Sequence, residues 1–277
     1  MDAADRGVRG LWLFLLVAFG ISWIVWLPLL FGEWSDPLLV VGAFGPFAAA
    51  VILTGREEGK SGLVRWLKQV FRLRIGLWWW LGAAFFFPIA VGAIQYAIYL
   101  LLGGEADLSN LDYPWLAYPI ALLLTTIFTG GNEEPGWRGF ALPRLLEWYS
   151  PLIASLILGV IWVGWHLPLF LTNEWGANTS FVWFLWNVLA LSVIMTWLFL
   201  RPGRSVIPAM LFHGGTNVIG SYFPLATDVV SGAPDFFVLR GSVYWAIAIT
   251  LLIVTRGRLG LEREAPRASA DVRVPTR

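Results

Sequence analysis

Apolar residues in this chain come in long runs, with little of the helical or alternating spacing of a soluble fold. The runs are Leu11 to Phe31, Leu38 to Thr54, Leu77 to Leu102, Trp115 to about Phe128, Leu152 to Leu171, Phe181 to Leu200, Val206 to Phe223 and about Val243 to Val254. Most approach the ~20 residues a helix needs to cross a bilayer, so the pattern predicts about eight spans. The fourth and eighth are short, and lengthen only by absorbing neighbours such as "GNEEPGWRGF", Gly131 to Phe140. One stretch is helically periodic: "LVRWLKQVFRLR", Leu63 to Arg74, sets Val64, Leu67, Val70 and Phe71 on one face and Arg65, Lys68 and Arg72 on the other. It predicts an amphipathic helix lying flat on the cytoplasmic interface, where basic groups meet anionic headgroups. Residues 257–277 are polar, Pro- and Arg-bearing, and are expected to form a disordered cytoplasmic tail.

Composition agrees with the runs. With 58% hydrophobic residues, 13% charged and a mean hydropathy of +0.70, the chain lies outside the range of soluble domains. The expected fold is all-α: a single polytopic membrane bundle over residues 1–256, without a separate soluble domain. Zero cysteines exclude disulfides, thiolate metal sites, a cysteine nucleophile and lipoprotein-type acylation. A net charge of +1 gives no reason to expect nucleic acid as a partner.

The placement of charge is more informative than its sum. Every Lys and Arg except Arg240 falls in alternate segments: before the first run, after the second (Arg56 to Arg74), after the fourth (Arg138, Arg144), after the sixth (Arg201, Arg204) and in the tail. The loops between, "GEWSDP", "GGEADLSNLDYP" and "TNEWGANTS", carry none. Basic loops stay on the cytoplasmic side, so both termini are expected there, in an integral membrane protein of a prokaryotic-type plasma membrane. The first run is too long for a signal peptide and no small-residue cleavage site follows it, so it is expected to be retained.

Polar groups at membrane depth are costly and tend to be functional. Few remain once the loops are removed: Glu133, Glu134 and Arg138 at the end of the fourth run, His166 in the fifth, His213 and Asn217 in the seventh. His166 and His213 are the only histidines. Glu134 and Arg138 stand i, i+4 and can pair; His213 and Asn217 share the same spacing and face. A lone intramembrane histidine is more often a hydrogen-bond partner between helices, and an ion pair more often structural. Their joint occurrence favours one buried site. A carboxylate can take a proton from water, neutral imidazole can share that task, and His with Asn can stabilise an oxyanion, the three requirements of amide hydrolysis. No GxSxG or other paired nucleophile competes.

In order and spacing these residues resemble the CPBP intramembrane proteases, a family including type II CAAX prenyl endopeptidases and Abi or bacteriocin-immunity proteins. The EExxxR motif is matched by Glu133 to Arg138, FxxxH by Trp162 to His166 with Trp in place of Phe, and HxxxN by His213 to Asn217, across about residues 116–223. The resemblance implies Glu133 as general base for water, assisted by His166. It implies His213 and Asn217 as the oxyanion pair, with Glu134 and Arg138 supporting. It also makes Glu133, His166 and His213 a candidate two-His, one-carboxylate zinc set. The implied partners are membrane lipids and a membrane-embedded or lipidated peptide, cut near the cytoplasmic face. A non-catalytic immunity-type relative and a proton-coupled transporter are the rival readings; the absence of an internal repeat counts against the second. Pro135 predicts either a kink or a fresh helix with Asn132 as N-cap.

Overall fold

The computed structural model describes residues 3–32, 35–106, 114–172, 180–223 and 236–261. Among these residues the chain is helical and holds no strand. The main helices are α1 (Ala3–Trp26), α2 (Asp36–Ala43), α3 (Gly45–Val70), α4 (Leu77–Leu81), α5 (Phe87–Leu101), α6 (Tyr118–Phe128), α7 (Pro151–Trp165), α8 (Phe181–Leu200), α9 (Ile207–Val218) and α10 (Phe236–Val254). Four helical stretches are long and apolar enough to cross a membrane: Arg9–Leu30, Asp36–Val70, Leu77–Leu101 and Phe181–Leu200, with shorter apolar helices at Pro151–Trp165 and Val238–Val254. The fourth and seventh apolar runs fall below that length because their helices stop early, and both stops lie at the polar residues singled out above.

Proline and glycine set the breaks. A π turn, Gly82–Phe86, joins α4 to α5, and the Tyr118 hydroxyl donates to the Ala84 carbonyl at 2.9 Å, four residues before Pro88, whose ring has no N–H to offer there. Gly59, at φ +66°, interrupts α3. Beyond it the amphipathic stretch is helical to Val70, and its inward edge is Gly62, Trp66 and Val70, while Val64 and Phe71 stay exposed. Trp66 Nε1 donates to the Gly139 carbonyl at 3.1 Å, so this helix braces the glutamate motif.

In the bundle α1 packs on α3, α8 lies against α7 and α10, and α9 against α6. The basic segments gather at one end. Arg144 pairs with Glu57 at 2.9 Å, Arg72 donates to the Gly203 carbonyl at 2.8 Å, and Ser205 donates to the Arg72 carbonyl at 2.9 Å. Within the stretch expected to form a tail, Leu259 is buried and Gly260 abuts Arg201; residues 262–277 lie outside the described part of the chain. At the opposite end Trp115, Tyr118, Tyr222 and Phe223 form an aromatic cluster, with Trp115 and Tyr222 ring centres 5.2 Å apart. Interfacial aromatic belts have this composition.

Candidate active site

The site begins where α6 ends. Thr129 leaves helical geometry and Gly130 takes φ +144°, a conformation that side chains disfavour. A Cβ on Gly130 would lie 2.5 Å from Asn217 Nδ2 and 3.1 Å from His213 Nε2, so glycine is needed for space as well. A 3-10 turn, Gly131–Glu133, then leads into a helical turn, Glu134–Gly136, and a π turn, Trp137–Ala141. Pro135 therefore sits in the first turn of a fresh helix, where its missing N–H costs little. Asn132 is not that helix's cap. Its Oδ1 turns back to accept the Gly130 N–H at 2.9 Å and holds the break.

This irregular backbone sets the two glutamates to different tasks. Glu134 and Arg138 are fully buried and pair at 2.9 Å; Glu134 Oε1 also meets His213 Nδ1 at 2.9 Å. Arg138 reaches Ser192 Oγ at 3.3 Å on α8 and lies 4.7 Å from the Trp162 ring centre. Glu134 thus ties the motif segment to α9 as well as to Arg138. Glu133 is buried on another side, its Oε2 accepting from Trp162 Nε1 at 2.8 Å and Trp137 Nε1 at 3.3 Å.

Hydrogen bonding also fixes the imidazoles. His166 stands just past the end of α7, its Nδ1 2.8 Å from the Trp162 carbonyl. A carbonyl only accepts, so Nδ1 carries the proton and Nε2 keeps a lone pair. His213, having Nδ1 against a carboxylate, presents an Nε2–H only as imidazolium. Asn217 gives one amide hydrogen to the Thr129 carbonyl at 2.7 Å and keeps a second N–H.

Two cavities meet at these residues. One, of about 150 Å³, is lined by Glu133, His166, His213 and Asn217 together with Asn187 of α8 and Arg240 of α10. The other, of about 230 Å³, shares Glu133, His166 and Asn217, and is otherwise walled by groups such as Trp26, Leu39 and Trp165. The structure therefore brings Glu133, His166, His213 and Asn217 to one place and sets Glu134 and Arg138 behind them. Glu133, His166 and His213 do not fit the zinc set: among the described residues no three His, Asp or Glu side chains are disposed to hold a metal ion. Glu133 turns its Oε2 to two indole donors and His213 its Nδ1 to Glu134.

The site is not near the basic end. His166 lies about 22 Å along α7 from that end, at ~1.5 Å per residue, and Arg240 is only about one turn from the far end of α10.

Two features escape sequence reading. Trp162 and Trp137 look like packing residues, though each indole carries a donor that a buried carboxylate can use. Arg240, set apart from the basic loops, looks like a loop residue, yet it lines the cavity.

A carboxylate, two imidazoles and an amide thus line adjoining cavities of an apolar helical bundle. Residues 114–219 match the family model described as type II CAAX prenyl endopeptidase Rce1-like, and the resemblance carried by the three motifs holds across this site-bearing segment. A similar protein over nearly the whole length is CAAX prenyl protease 2 of Methanococcus maripaludis, 23% identical over 257 residues that cover 87% of this chain and 92% of that one.

Proposed function

We propose that this protein is an intramembrane endopeptidase that hydrolyses a peptide bond of a lipidated or membrane-embedded substrate with water activated by Glu133. The observation that carries this reading is that Glu133 and His166 stand on a wall common to two cavities, beside His213 and Asn217. A peptide passing from one cavity to the other would carry its carbonyl past all four groups. The match to the Rce1-like model supports a prenylated CAAX end as the substrate class, a cysteine-lipidated chain terminus.

The reaction runs through the protein's own groups. Glu133 takes a proton from water while His166 Nε2 accepts a hydrogen bond from the same molecule, and the water oxygen attacks the scissile carbonyl carbon. Negative charge collects on the carbonyl oxygen, where Nε2–H of His213, as the imidazolium paired with Glu134, and the second Asn217 N–H can meet it. The C–N bond then breaks, and the proton held by Glu133 passes to the departing amine. The two indoles hold the Glu133 carboxylate in one orientation, while Glu134 and Arg138 fix His213 and the wall. No step uses a metal.

The test is turnover of a prenylated CAAX peptide by the full-length protein in proteoliposomes. Glu133→Gln is expected to lower kcat at least 1,000-fold, on the order of the loss of a general base, with folding unchanged. Exhaustive chelation is expected to leave wild-type turnover intact. Cleavage by the Gln variant at the wild-type rate would sink the reading, and reversible loss on chelation would overturn its metal-free form.

A further inference from the structure

The smaller cavity holds two groups that hydrolysis does not use, and both lie on its side away from the basic end. Arg240, in the second turn of α10, lines the cavity and gives Nη1 to the Thr216 carbonyl at 3.4 Å. Thr216 is in the last turn of α9, whose carbonyl end carries partial negative charge, so this contact also suits a helix-end cap. Capping does not explain why the cation faces the cavity that Glu133 and His213 share. Asn187, on α8 where it packs beside Gly241, is 3% exposed, and its Nδ2 has no hydrogen-bond partner among the described residues. A buried amide donor left without an acceptor is costly, and such groups are rare unless a ligand or water completes them.

A guanidinium and a primary amide facing one small cavity supply N–H donors, suited to an acceptor with two oxygens and a negative charge. The volume, about 150 Å³, suits a short chain end. Beyond the scissile bond, a substrate that ends inside this cavity must present its terminal carboxylate there. Arg240 lies outside residues 114–219, so the family match assigns it nothing.

We propose that Arg240, with Asn187, binds the free C-terminal carboxylate of the substrate, so that the protein measures its cut from the end of the chain. The guanidinium holds one carboxylate oxygen while keeping Thr216, and the Asn187 amide donates to the other. The other cavity, with Trp26, Leu39 and Leu169 on its wall, then takes the apolar, lipid-bearing side of the scissile bond. This assignment rests on the endopeptidase reading and adds to it the polarity of the bound peptide.

The experiment compares two prenylated peptides of the same sequence, one ending in a free carboxylate and one in a carboxamide, with the full-length protein in proteoliposomes. Wild type is expected to favour the acid by about 10- to 100-fold in kcat/KM, chiefly through KM, the range of a charge-assisted hydrogen bond. Arg240→Gln is expected to erase that preference by raising KM for the acid, with turnover of the amide near wild type; Asn187→Ala is expected to erase part of it. Equal wild-type turnover of acid and amide would overturn the proposal and leave the endopeptidase standing. An Arg240→Gln variant slowed equally on both peptides would assign Arg240 to holding α9 alone. Should that variant not fold, Arg240→Lys and the wild-type comparison decide the matter. No cleavage of either peptide by wild type would refute the endopeptidase reading itself.

Discussion

Trp162 occupies a position where the related motif has Phe, and it does something Phe cannot. Its Nε1 donates to Glu133 at 2.8 Å while its carbonyl fixes the tautomer of His166, and its ring faces His213 edge-on at 5.0 Å. Only the first of these depends on the side chain's polarity. Trp162→Phe keeps the ring and the backbone and removes one hydrogen bond to a charged acceptor, an interaction of about 1.5–3 kcal/mol. The expected outcome is a fall in kcat of about 10- to 100-fold with little change in KM, since the bond orients the base and does not touch substrate. Steady-state kinetics on one peptide check it; an unchanged kcat would mean that Trp137, at 3.3 Å, holds Glu133 alone.

At the scale of elements, the site depends on where helices stop. Gly130 turns the chain at φ +144° directly against Asn217 and His213, which lets the end of α6, the motif segment and α9 approach each other. Gly130→Ala is expected to cost about 1–3 kcal/mol of stability from strain alone, and to lower activity further because its methyl group displaces the Asn217 amide. Gly55 makes the control, for a Cβ there meets nothing within 4 Å and its φ is not positive. Thermal unfolding in detergent and peptide turnover, run on both variants, separate the two effects. The same breaks mark how far sequence reaches. Helices are legible because continuous apolar runs have few other uses, and Glu133, Glu134, Arg138, His166 and His213 are legible because polar groups in such runs need a reason. The stops at Thr129 and Gly59 and the two π turns are not legible, since hydropathy averages across them. The roles of Trp162, Trp137 and Arg240 are hidden for a related reason: a donor atom on a large side chain acquires its meaning only from the acceptor that folding brings to it.

For the whole molecule, charge gives the bundle two unlike ends. Segments from α1, the end of α3, the turn after the motif, the end of α8 and the start of the tail all meet at the basic end, while the far end is aromatic. If basic loops stay inside, the basic end is cytoplasmic, and both cavities lie toward the opposite half of the membrane. A peptide would then reach Glu133 laterally or from that opposite face, and Arg240 would bind a chain end presented from there. The chain has no cysteine, so single-cysteine variants report on orientation without background. Lys60→Cys and Arg204→Cys stand at the basic end; Leu116→Cys, at a residue 93% exposed, stands at the other. With a membrane-impermeant maleimide on intact cells, Leu116→Cys is expected to label, and the other two only after permeabilisation. Reversed labelling would place the basic end outside, against the charge rule, and would open the site to substrates presented from the cytoplasm. That outcome would leave the chemistry of Glu133 and His166 unchanged, because the geometry of the four groups does not depend on which side of the membrane their cavity faces.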